Sequence, residues 1–169
     1  MAMLARTTTP SEFVSTIVES PVGHLRVTTD GRAIVRITWI DRTRDRSGGT
    51  DEADHPLLGR VASQLAEYFA GKRHHFDVPV APAGTAFQCR VWGEMAKIPW
   101  GETRTYGDLA RTLDVAPQMI GQACGDNLIP IVIPCHRVVA ADGKTGGFSG
   151  GRGVETKLAL LRHEGALLL

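Results

Sequence analysis

A cysteine, a histidine and an arginine stand together at positions 135 to 137, directly after a run of apolar residues and prolines (IPIVIPCHRV). An apolar run of this kind, bounded by proline, predicts a buried strand that ends at the cysteine. A thiol can be buried as a small hydrophobic group, whereas the polar groups of His136 and Arg137 need hydrogen-bond partners once they leave water. The segment therefore predicts either a structural cysteine beside two surface residues or a nucleophile with a base next to it.

Cys135 can act as a nucleophile only as a thiolate, which requires a lowered pKa or a base within reach. His136 is the nearest base in the sequence, but neighbouring side chains on a strand point to opposite faces, so contact needs an irregular backbone at Pro134 or a bridging water. A histidine that acts as a base is normally oriented through its other ring nitrogen by a carboxylate or carbonyl group. Glu164, in the HEG at the end of the last predicted helix, is a candidate for that carboxylate. The alternative for Glu164 is a solvated charge at a helix end.

Metal binding is the other common use of cysteine and histidine. Cys89, Cys124 and Cys135 form no CxxC pair, and His74-His75 has no partner at ligand spacing, so we expect no metal site. An odd number of cysteines at these positions predicts no disulfide framework. A reducing cytoplasm is the location that fits such a chain.

The composition is that of an ordinary globular protein of one domain or two small ones, with 169 residues and a net charge of +1. This charge does not favour a nucleic-acid partner by itself, so such a partner would need a local patch. No stretch approaches the roughly 20 consecutive apolar residues of a membrane span. Residues 1–10 show no secretory signal, and we expect no membrane partner.

The first half of the chain predicts a small sheet and one helix. Residues 13–40 alternate like a β-meander with a tight turn at Asp30-Gly31, and residues 41–54 are charged and predict an exposed loop. The apolar spacing over residues 56–71 predicts an amphipathic helix. A short strand and a proline- and glycine-rich link follow, and we place a domain boundary near Gly84.

The second half predicts mainly helices. Thr85 can cap a helix that extends to residue 97, and Thr105 can cap the helix of TYGDLARTLD. Pro117 suits the first turn of the helix that follows, QMIGQACG. Two short helices joined by the tight DVAP turn are typical of a helix-turn-helix, although many helical hairpins share the pattern. The glycine-rich segment 141–153 leads into a last helix, VETKLALLRHEG.

These motifs together resemble those of the O6-alkylguanine-DNA alkyltransferases, also called methylated-DNA–protein-cysteine methyltransferases. The resemblance rests on IPIVIPCHRVV, FQCRVW at 87–92, IPWGETRTYGDLA at 98–110, the asparagine of GDN at 125–127, FSGG, and the terminal HEG. It covers residues 84–169 densely. Residues 1–83 match only in general character, through an SPVG hairpin and the helix end AEYFAG.

The resemblance implies two domains and one reaction. Residues 1–83 would form an α/β domain of ribonuclease-H-like shape, with a small antiparallel sheet and a helix. Residues 84–169 would form a mainly α domain that carries a winged-helix-like helix-turn-helix and the active site. The implied reaction is the irreversible transfer of one alkyl (methyl) group per molecule from guanine O6 to the cysteine, without a cofactor. The implied partner is double-stranded DNA containing O6-alkylguanine, bound through the minor groove by a monomer that flips the base out of the duplex.

The resemblance also implies a role for individual residues. Cys135 would be the acceptor thiol, His136 the base acting through water, and Glu164 the group that orients this histidine. Asn127 would tie the helix-turn-helix to the active-site strand, and Tyr106 would contact the phosphate of the flipped nucleotide and help protonate the departing purine. The substrate pocket would include Ser149, Gly150, the backbone carbonyl of Val138, and the side chains of Pro130 and Trp100. The DNA contacts would come from Thr105, Gln118, Met119, Gly121 and Gln122. A relay of Cys135, His136 and Glu164 predicts that the pKa of the thiol lies below its ordinary value of about 8.5.

The second helix of the helix-turn-helix departs from the family pattern. The family usually carries an arginine that fills the gap left by the flipped base, and this sequence has Gln118 there. The face that enters the minor groove, normally of small side chains, includes Met119 and Gln122. Two other functions therefore stay open. One is an alkyltransferase-like protein that binds lesions without transfer, which Gln118 favours and Cys135 disfavours. The other is a helix-turn-helix regulator whose cysteine senses alkylation or oxidation.

Overall fold

The structure is a computed structural model that describes residues 13–49 and 55–166. Predictions made for residues 1–12 and 50–54, which include the end of the predicted loop over 41–54, lie outside the described residues. No helix in the described part of the chain is long and apolar enough to cross a membrane.

The chain folds into a small antiparallel sheet with one helix, followed by a mainly helical part. The helices and strands are β1 (Val14–Ser20), β2 (Gly23–Thr29), β3 (Ile34–Ile40), α1 (Pro56–Phe69), α2 (Ala86–Ala96), β4 (Arg104–Thr105), α3 (Tyr106–Leu113), α4 (Pro117–Gly125), β5 (Val138–Val139) and α5 (Val154–His163). Cys135–Arg137 form a single 3-10 turn between α4 and β5. The predicted fold class, an α/β part followed by a mainly α part, is confirmed.

The predicted β-meander is confirmed. β1, β2 and β3 pair antiparallel in sequential order. Gly31 in the predicted turn has a φ of 94°, which glycine adopts without steric cost. Alternate side chains of β2, such as Leu25 and Val27, are buried, and α1 packs on β1 and β2 through Leu58 and Leu65. The sheet therefore has one apolar face, and α1 covers it.

The strand predicted after residue 74 is reduced to a single bridge. The N–H of Ile34 donates to the carbonyl of Pro79 at 2.8 Å, and the carbonyl of Ile34 accepts from the N–H of Ala81 at 2.9 Å. The boundary predicted near Gly84 falls in the extended segment that joins this bridge to α2. The division of the chain at residue 83 stays a prediction.

The predicted pair of short helices is confirmed in α3 and α4, which pack against each other. The Thr105 hydroxyl accepts from the N–H of Asp108 at 3.0 Å, and the Asp108 carboxylate accepts from the N–H of Thr105 at 2.9 Å. This reciprocal capping box satisfies two N–H groups at the start of α3. Asp114 ends α3 in the left-handed conformation, with a φ of 55°, and Pro117 begins α4.

The prediction of a buried strand leading to Cys135 is wrong. Residues 128–134 form a series of turns, although most of them are buried as predicted. The two prolines of this segment have no N–H and cannot donate to a sheet ladder. Asn127 supplies local bonds instead, because its Nδ2 donates to the carbonyl of Ile133 at 2.8 Å and its Oδ1 accepts from the N–H of Ile129 at 3.0 Å.

Candidate active site

The 3-10 turn Cys135–Arg137 carries three buried side chains. Cys135 is 7% exposed and His136 is fully buried. In a turn the side chains do not alternate between two faces as they do on a strand. An irregular backbone at this place was one of the two conditions under which Cys135 and His136 could act together.

Glu164, the residue at the end of α5, is the hydrogen-bond partner of His136. Its Oε1 accepts from His136 Nε2 at 2.8 Å, while Arg137 donates from Nε to Oε2 at 2.9 Å and from Nη2 to Oε1 at 2.8 Å. Burial raises the pKa of Glu164, but the bonds and charges of His136 and Arg137 outweigh burial and lower it to about 2. Glu164 is 4% exposed, so the alternative of a solvated charge at a helix end is wrong.

His136 has one ring nitrogen free for proton transfer. Because Glu164 accepts a hydrogen bond at Nε2, the neutral ring carries its hydrogen there and keeps a lone pair at Nδ1. Nδ1 is buried and has no hydrogen-bond partner within the described residues. Burial lowers the pKa of His136 more than Glu164 raises it. A neutral imidazole with an unpaired Nδ1 is a base that can take up one proton.

The Cys135 thiol is protonated in the resting protein. Burial raises its pKa above the ordinary value, and the smaller opposing effects of the Asn127 side chain and the Lys157 charge do not reverse this. The predicted lowering of the thiol pKa is therefore wrong for the resting protein. A buried thiolate is costly, so the proton has to leave the sulfur as its new bond forms.

Lys157 is fully buried, and its charge acts on the Cys135 thiol. Its Nζ donates to the carbonyl of Val138 at 2.6 Å and to that of Gly147 at 3.2 Å, and it lies 3.5 Å from the hydroxyl of Tyr106. Burial raises the pKa of Tyr106 to about 12, and the nearby cysteine sulfurs add to this effect. The tyrosine therefore remains a hydrogen-bond donor at neutral pH. The carbonyl of Val138 already has one donor and keeps a second lone pair for another.

Two cavities reach Cys135. The larger, of about 670 Å³, lies between α4 and the glycine-rich segment, and its volume is in the range of ligand pockets. Its walls are Tyr106, Pro117, Gln118, Gly121, Cys124, Gly125, Cys135, Gly147, Phe148 and Ser149. The smaller, of about 330 Å³, lies towards β3 and is lined by Ile37, Thr38, Trp39, Cys124, Asn127, Pro130, Cys135, Phe148, Ser149, Gly150 and Gly151. The thiol is thus accessible from the helix-turn-helix and also from the side of the sheet.

Gly150 is required by close packing against the sheet. A Cβ at Gly150 would lie 2.3 Å from the ring of Trp39, a distance that no side chain tolerates. The Trp39 ring also packs edge-on against Phe148, with 5.9 Å between ring centroids. β3 is joined to the segment before Cys135 by a hydrogen bond from the N–H of Ile37 to the carbonyl of Leu128 at 2.9 Å. The first half of the chain therefore shapes one wall of the site.

The residues predicted to contact DNA lie together around the helix-turn-helix. Gln118 and Gly121 line the larger cavity, and Met119 and Gln122 line a shallow groove on a neighbouring side of α4. Met119 is 45% exposed, so its side chain is accessible on the surface of α4. The oxygen of Thr105 holds the capping box of α3, and its hydroxyl can still donate its own hydrogen.

Trp100, which the resemblance implied as a pocket wall, lines neither of the two cavities that reach Cys135. Its ring stacks on His74 with 4.3 Å between centroids and contacts Tyr68 and His163 edge-on at 5.2 Å each. Partial burial of this large ring among other aromatic rings explains its position. Trp100 therefore supports the region behind Glu164 and does not line the pocket.

No group of three or more histidine, cysteine, aspartate or glutamate side chains that could hold a metal ion occurs among residues 13–49 and 55–166. The three cysteines are free thiols, with Cys89 exposed and Cys124 partly buried.

Both halves of the chain match known proteins. Residues 13–82 match the model of the ribonuclease-like domain of 6-O-methylguanine DNA methyltransferases, and residues 86–166 match the model of their DNA-binding domain. The chain is 38% identical to the methylated-DNA–protein-cysteine methyltransferase of Mycobacterium tuberculosis over 149 residues, which cover 87% of this chain and 89% of that protein. The chain belongs to the 6-O-methylguanine DNA methyltransferase family. A second relative, the constitutive methylated-DNA–protein-cysteine methyltransferase of Bacillus subtilis, is 35% identical over 156 residues, which cover 88% of this chain and 93% of that protein.

Solved structures of family members confirm the fold. A crystal structure of Mycobacterium tuberculosis O6-methylguanine methyltransferase superposes with a TM-score of 0.78 at 34% identity and covers 94% of this chain and 96% of that chain. The structure of Mycobacterium tuberculosis OGT in complex with DNA has the same TM-score of 0.78 at 36% identity and covers 90% of this chain and 92% of that chain.

Two buried residues of the active site, Arg137 and Lys157, were not assigned a role from the sequence. Arg137 is the counter-charge of Glu164, and it also donates from Nη1 to the carbonyl of Ile98 at 2.6 Å. Lys157 lies on the buried stripe of α5, three and four residues before Leu160 and Leu161. Its position inside an apolar stripe is the sequence feature that could have identified Lys157 as a residue of the site, because a buried lysine needs hydrogen-bond partners.

Proposed function

We propose that the protein repairs DNA by transferring the alkyl group of O6-alkylguanine to Cys135, irreversibly and once per molecule. The observation that carries this proposal is the buried thiol of Cys135, which lines two cavities. The next residue is His136, whose neutral imidazole is held by Glu164. This arrangement occurs in a member of the 6-O-methylguanine DNA methyltransferase family. The partner is double-stranded DNA, and the protein acts on it as a monomer. The need for a free thiol fits a reducing cytoplasm.

The reaction is an in-line displacement at the alkyl carbon. The bond from Cys135 Sγ to carbon forms while the bond from carbon to guanine O6 breaks. The thiol proton passes through water to His136 Nδ1, and Glu164 stabilises the imidazolium that forms. The departing purine takes up one proton from water, and the hydroxyl of Tyr106 donates a hydrogen bond towards it. His136 then returns the thiol proton to water. In balance, the thiol proton is replaced by the alkyl group and guanine regains its proton.

The base has to leave the duplex before it can react, at a cost of a few kcal/mol. The larger cavity, with α4 on one side and Cys135 at its base, would receive the flipped guanine. In this arrangement Asn127 holds the segment that connects α4 to the thiol, and Ser149 lies at the cavity where O6 would be. A pocket closed to water would strengthen each hydrogen bond to the purine.

The proposal is tested by incubating the protein with duplex DNA that contains O6-methylguanine and measuring the intact protein mass. We expect a gain of one methyl group per molecule, located on Cys135 by peptide mapping. Tight binding to the lesion without a mass gain would instead indicate a protein that only recognises the damage. Modification by oxidants alone, together with binding to one undamaged sequence, would indicate a regulator.

Tyr106→Phe should slow the transfer about tenfold or more with little loss of stability. The ring stays in place at the start of α3, and only the hydroxyl beside Lys157 and the cavity is removed. Single-turnover rates with methylated duplex, measured beside the melting temperature, check this. A sharp fall in melting temperature with an unchanged rate for the folded protein would show that Tyr106 is only a core residue.

Gln118→Arg should tighten binding to duplex DNA and steepen its salt dependence by about one phosphate equivalent at most. Gln118 is exposed at the mouth of the larger cavity, where a side chain can fill the gap left by the flipped base. An arginine adds attraction to the negative minor groove, whereas glutamine offers hydrogen bonds only. Binding isotherms at several salt concentrations measure both effects.

Reaction with free O6-benzylguanine is the control for Gln118→Arg, because a free base needs no flipping and its rate should hardly change. If Gln118→Arg and Gln118→Ala both leave duplex affinity and repair rate unchanged, residue 118 does not fill the gap. The exposed Met119 is then the side chain to test as an apolar wedge.

A further inference from the structure

Tyr68, a residue of the N-terminal half, contacts the buried acid–base relay of the second half, which consists of Cys135, His136 and Glu164. It lies in the last turn of α1 and is fully buried, and its hydroxyl donates to Glu164 Oε1 at 2.7 Å across 96 residues of sequence. We propose that Tyr68 is a positioning residue of the transfer reaction, which holds Glu164 and limits how strongly this carboxylate draws a proton onto His136.

The oxygen that Tyr68 contacts is the one that His136 uses. Glu164 Oε1 accepts from His136 Nε2 at 2.8 Å, from Arg137 Nη2 at 2.8 Å and from the Tyr68 hydroxyl at 2.7 Å. Each donor stabilises the negative charge on the carboxylate and so weakens its attraction for the proton of His136. Tyr68 thereby tunes the base through the carboxylate, without contact with the substrate.

The position of the Tyr68 hydroxyl is fixed by contacts from both halves of the chain. The backbone carbonyl of Tyr68 accepts a hydrogen bond from His163 Nε2 at 2.7 Å. Its ring lies 4.9 to 5.4 Å, between centroids, from the rings of Phe69, Phe76, Trp100 and His163. Burial, followed by the charge of Glu164, raises the pKa of Tyr68 far above its ordinary value, so the hydroxyl stays a donor. The aromatic cluster that includes Trp100 thus holds one donor on the relay.

The charged groups that act on His136 are Glu164, Arg137 and Lys157. Further ionisable groups lie on the elements around the relay: Cys135 on the 3-10 turn, His163, which bonds the Tyr68 carbonyl, His74, which stacks on Trp100, and Glu67 of α1, which pairs with Arg73. The His136 ring can be followed by itself in NMR spectra, because its signal is assigned by its absence in a His136→Gln variant. Its titration reports the charge on Glu164 directly.

Tyr68→Phe keeps the ring and removes one donor from Glu164. The negative charge of the carboxylate is then less stabilised, so the carboxylate attracts the proton of His136 more strongly, and we expect the pKa of His136 to rise by half a unit or more. This is roughly a threefold increase in the ratio of protonated to neutral imidazole at a given pH. Transfer should slow at the acid end of the pH profile, where the base is lost, and should stay within about twofold of wild type at alkaline pH.

Replacement of Tyr68 by a ring-fluorinated tyrosine is the opposite change. Its more acidic hydroxyl is a stronger donor, so the pKa of His136 should fall. This variant adds little volume and keeps the hydrogen bond, so it also tests the proposal if Tyr68→Phe does not fold.

Phe69→Leu is the matched control. Phe69 belongs to the same aromatic cluster, with its ring 4.9 Å from that of Tyr68. Its side chain carries no donor, so Phe69→Leu should lower the melting temperature without moving the titration of His136. The proposal is overturned if His136 titrates alike in wild type and Tyr68→Phe, or if it shifts as much in Phe69→Leu.

The kinetic half of this test rests on the proposed function, but the titration does not. If the wild-type protein gains no alkyl group, the proposed function fails, and the titration of His136 in the three variants still decides the role of Tyr68.

Discussion

Cys135→Ser is expected to abolish alkyl transfer, with a loss of at least about a thousandfold. At an alkyl carbon a serine hydroxyl is a far weaker nucleophile than a cysteine sulfur, and its pKa lies far above that of a thiol, so a base such as His136 ionises it much less. Incubation with methylated duplex followed by intact-mass measurement should show no mass gain after many half-lives of the wild-type reaction. Binding to the same duplex should remain, because the DNA contacts proposed for α4 are untouched.

The fold should survive this change. Cys135 is 7% exposed and serine is slightly smaller, so the variant loses little volume and places a hydroxyl near the polar side chain of Asn127. We expect the free energy of unfolding to fall by about 1 kcal/mol, which corresponds to a decrease of a few degrees in melting temperature. Circular dichroism and thermal unfolding check that the lost activity is not lost structure.

Cys124→Ser is the stringent control, because Cys124 lines the same two cavities as Cys135. Burial raises the pKa of Cys124 to about 12, with a further rise from the charge of Cys135, and its Sγ lies 3.3 Å from Met95 Sδ. It therefore forms almost no thiolate at neutral pH and, unlike Cys135, has no histidine next to it in the sequence to take its proton. Cys124→Ser should keep most of the transfer activity. A methyl group found on Cys124 in the Cys135→Ser variant would contradict the assignment of the acceptor.

The elements that could be predicted from the sequence are those fixed by local chemistry. The turn at Gly31, the capping box of Thr105 and the first helical turn at Pro117 each depend on residues within four positions of one another. Such signals are complete in a short stretch of sequence, so the meander and the helix-turn-helix were correctly placed. The pairing of His136 with Glu164 needed the resemblance as well, because the residues lie 28 positions apart.

The parts of the structure that the sequence did not predict depend on features that hydrophobic periodicity does not show. The apolar run before Cys135 is as buried as a strand, but its prolines and the side chain of Asn127 give it local bonds. Trp100 joined an aromatic cluster built from α1 and α5, and the hydroxyl of Tyr68 reached Glu164 across 96 residues. Hydrophobic periodicity marks Tyr68 as buried, but it does not say which polar group the hydroxyl will meet.

Glu164→Gln is expected to slow transfer about a hundredfold near neutral pH and much less at alkaline pH. A neutral amide cannot stabilise the imidazolium of His136, so the thiol has to ionise without help. Burial raises the pKa of Cys135, and the unaided reaction therefore gains speed only as the pH rises. Single-turnover rates between about pH 6 and pH 10 should show the curves of variant and wild type converging. Equal loss at every pH would show that Glu164 is only structural.

The same change should alter how stability depends on pH. The pKa of Glu164 is about 2 in the folded protein against an ordinary value of 4.5, so the folded state favours the carboxylate. This contribution, on the order of 3 kcal/mol, is fully present above about pH 4.5 and is lost as the pH falls towards 2. Glu164→Gln also leaves Arg137 buried without a counter-charge. Denaturant unfolding should therefore show that Glu164→Gln has a much lower free energy of unfolding than wild type at pH 7. The difference between the two proteins should become smaller as the pH falls.

A glutamate outside the relay provides the comparison for Glu164→Gln. Glu94 forms an i,i+3 pair with Lys97, whose side chain is 71% exposed, and such pairs contribute little to stability. Glu94→Gln should leave both the rate profile and the unfolding curves close to wild type. In the unfolding curves Tyr68→Phe should fall between the two, because it removes one of the donors to Glu164 while the carboxylate itself remains. In the rate profiles it should differ from Glu164→Gln in kind, because it raises the pKa of His136 and slows transfer only at the acid end, whereas Glu164→Gln removes the charge that stabilises the imidazolium and slows transfer near neutral pH.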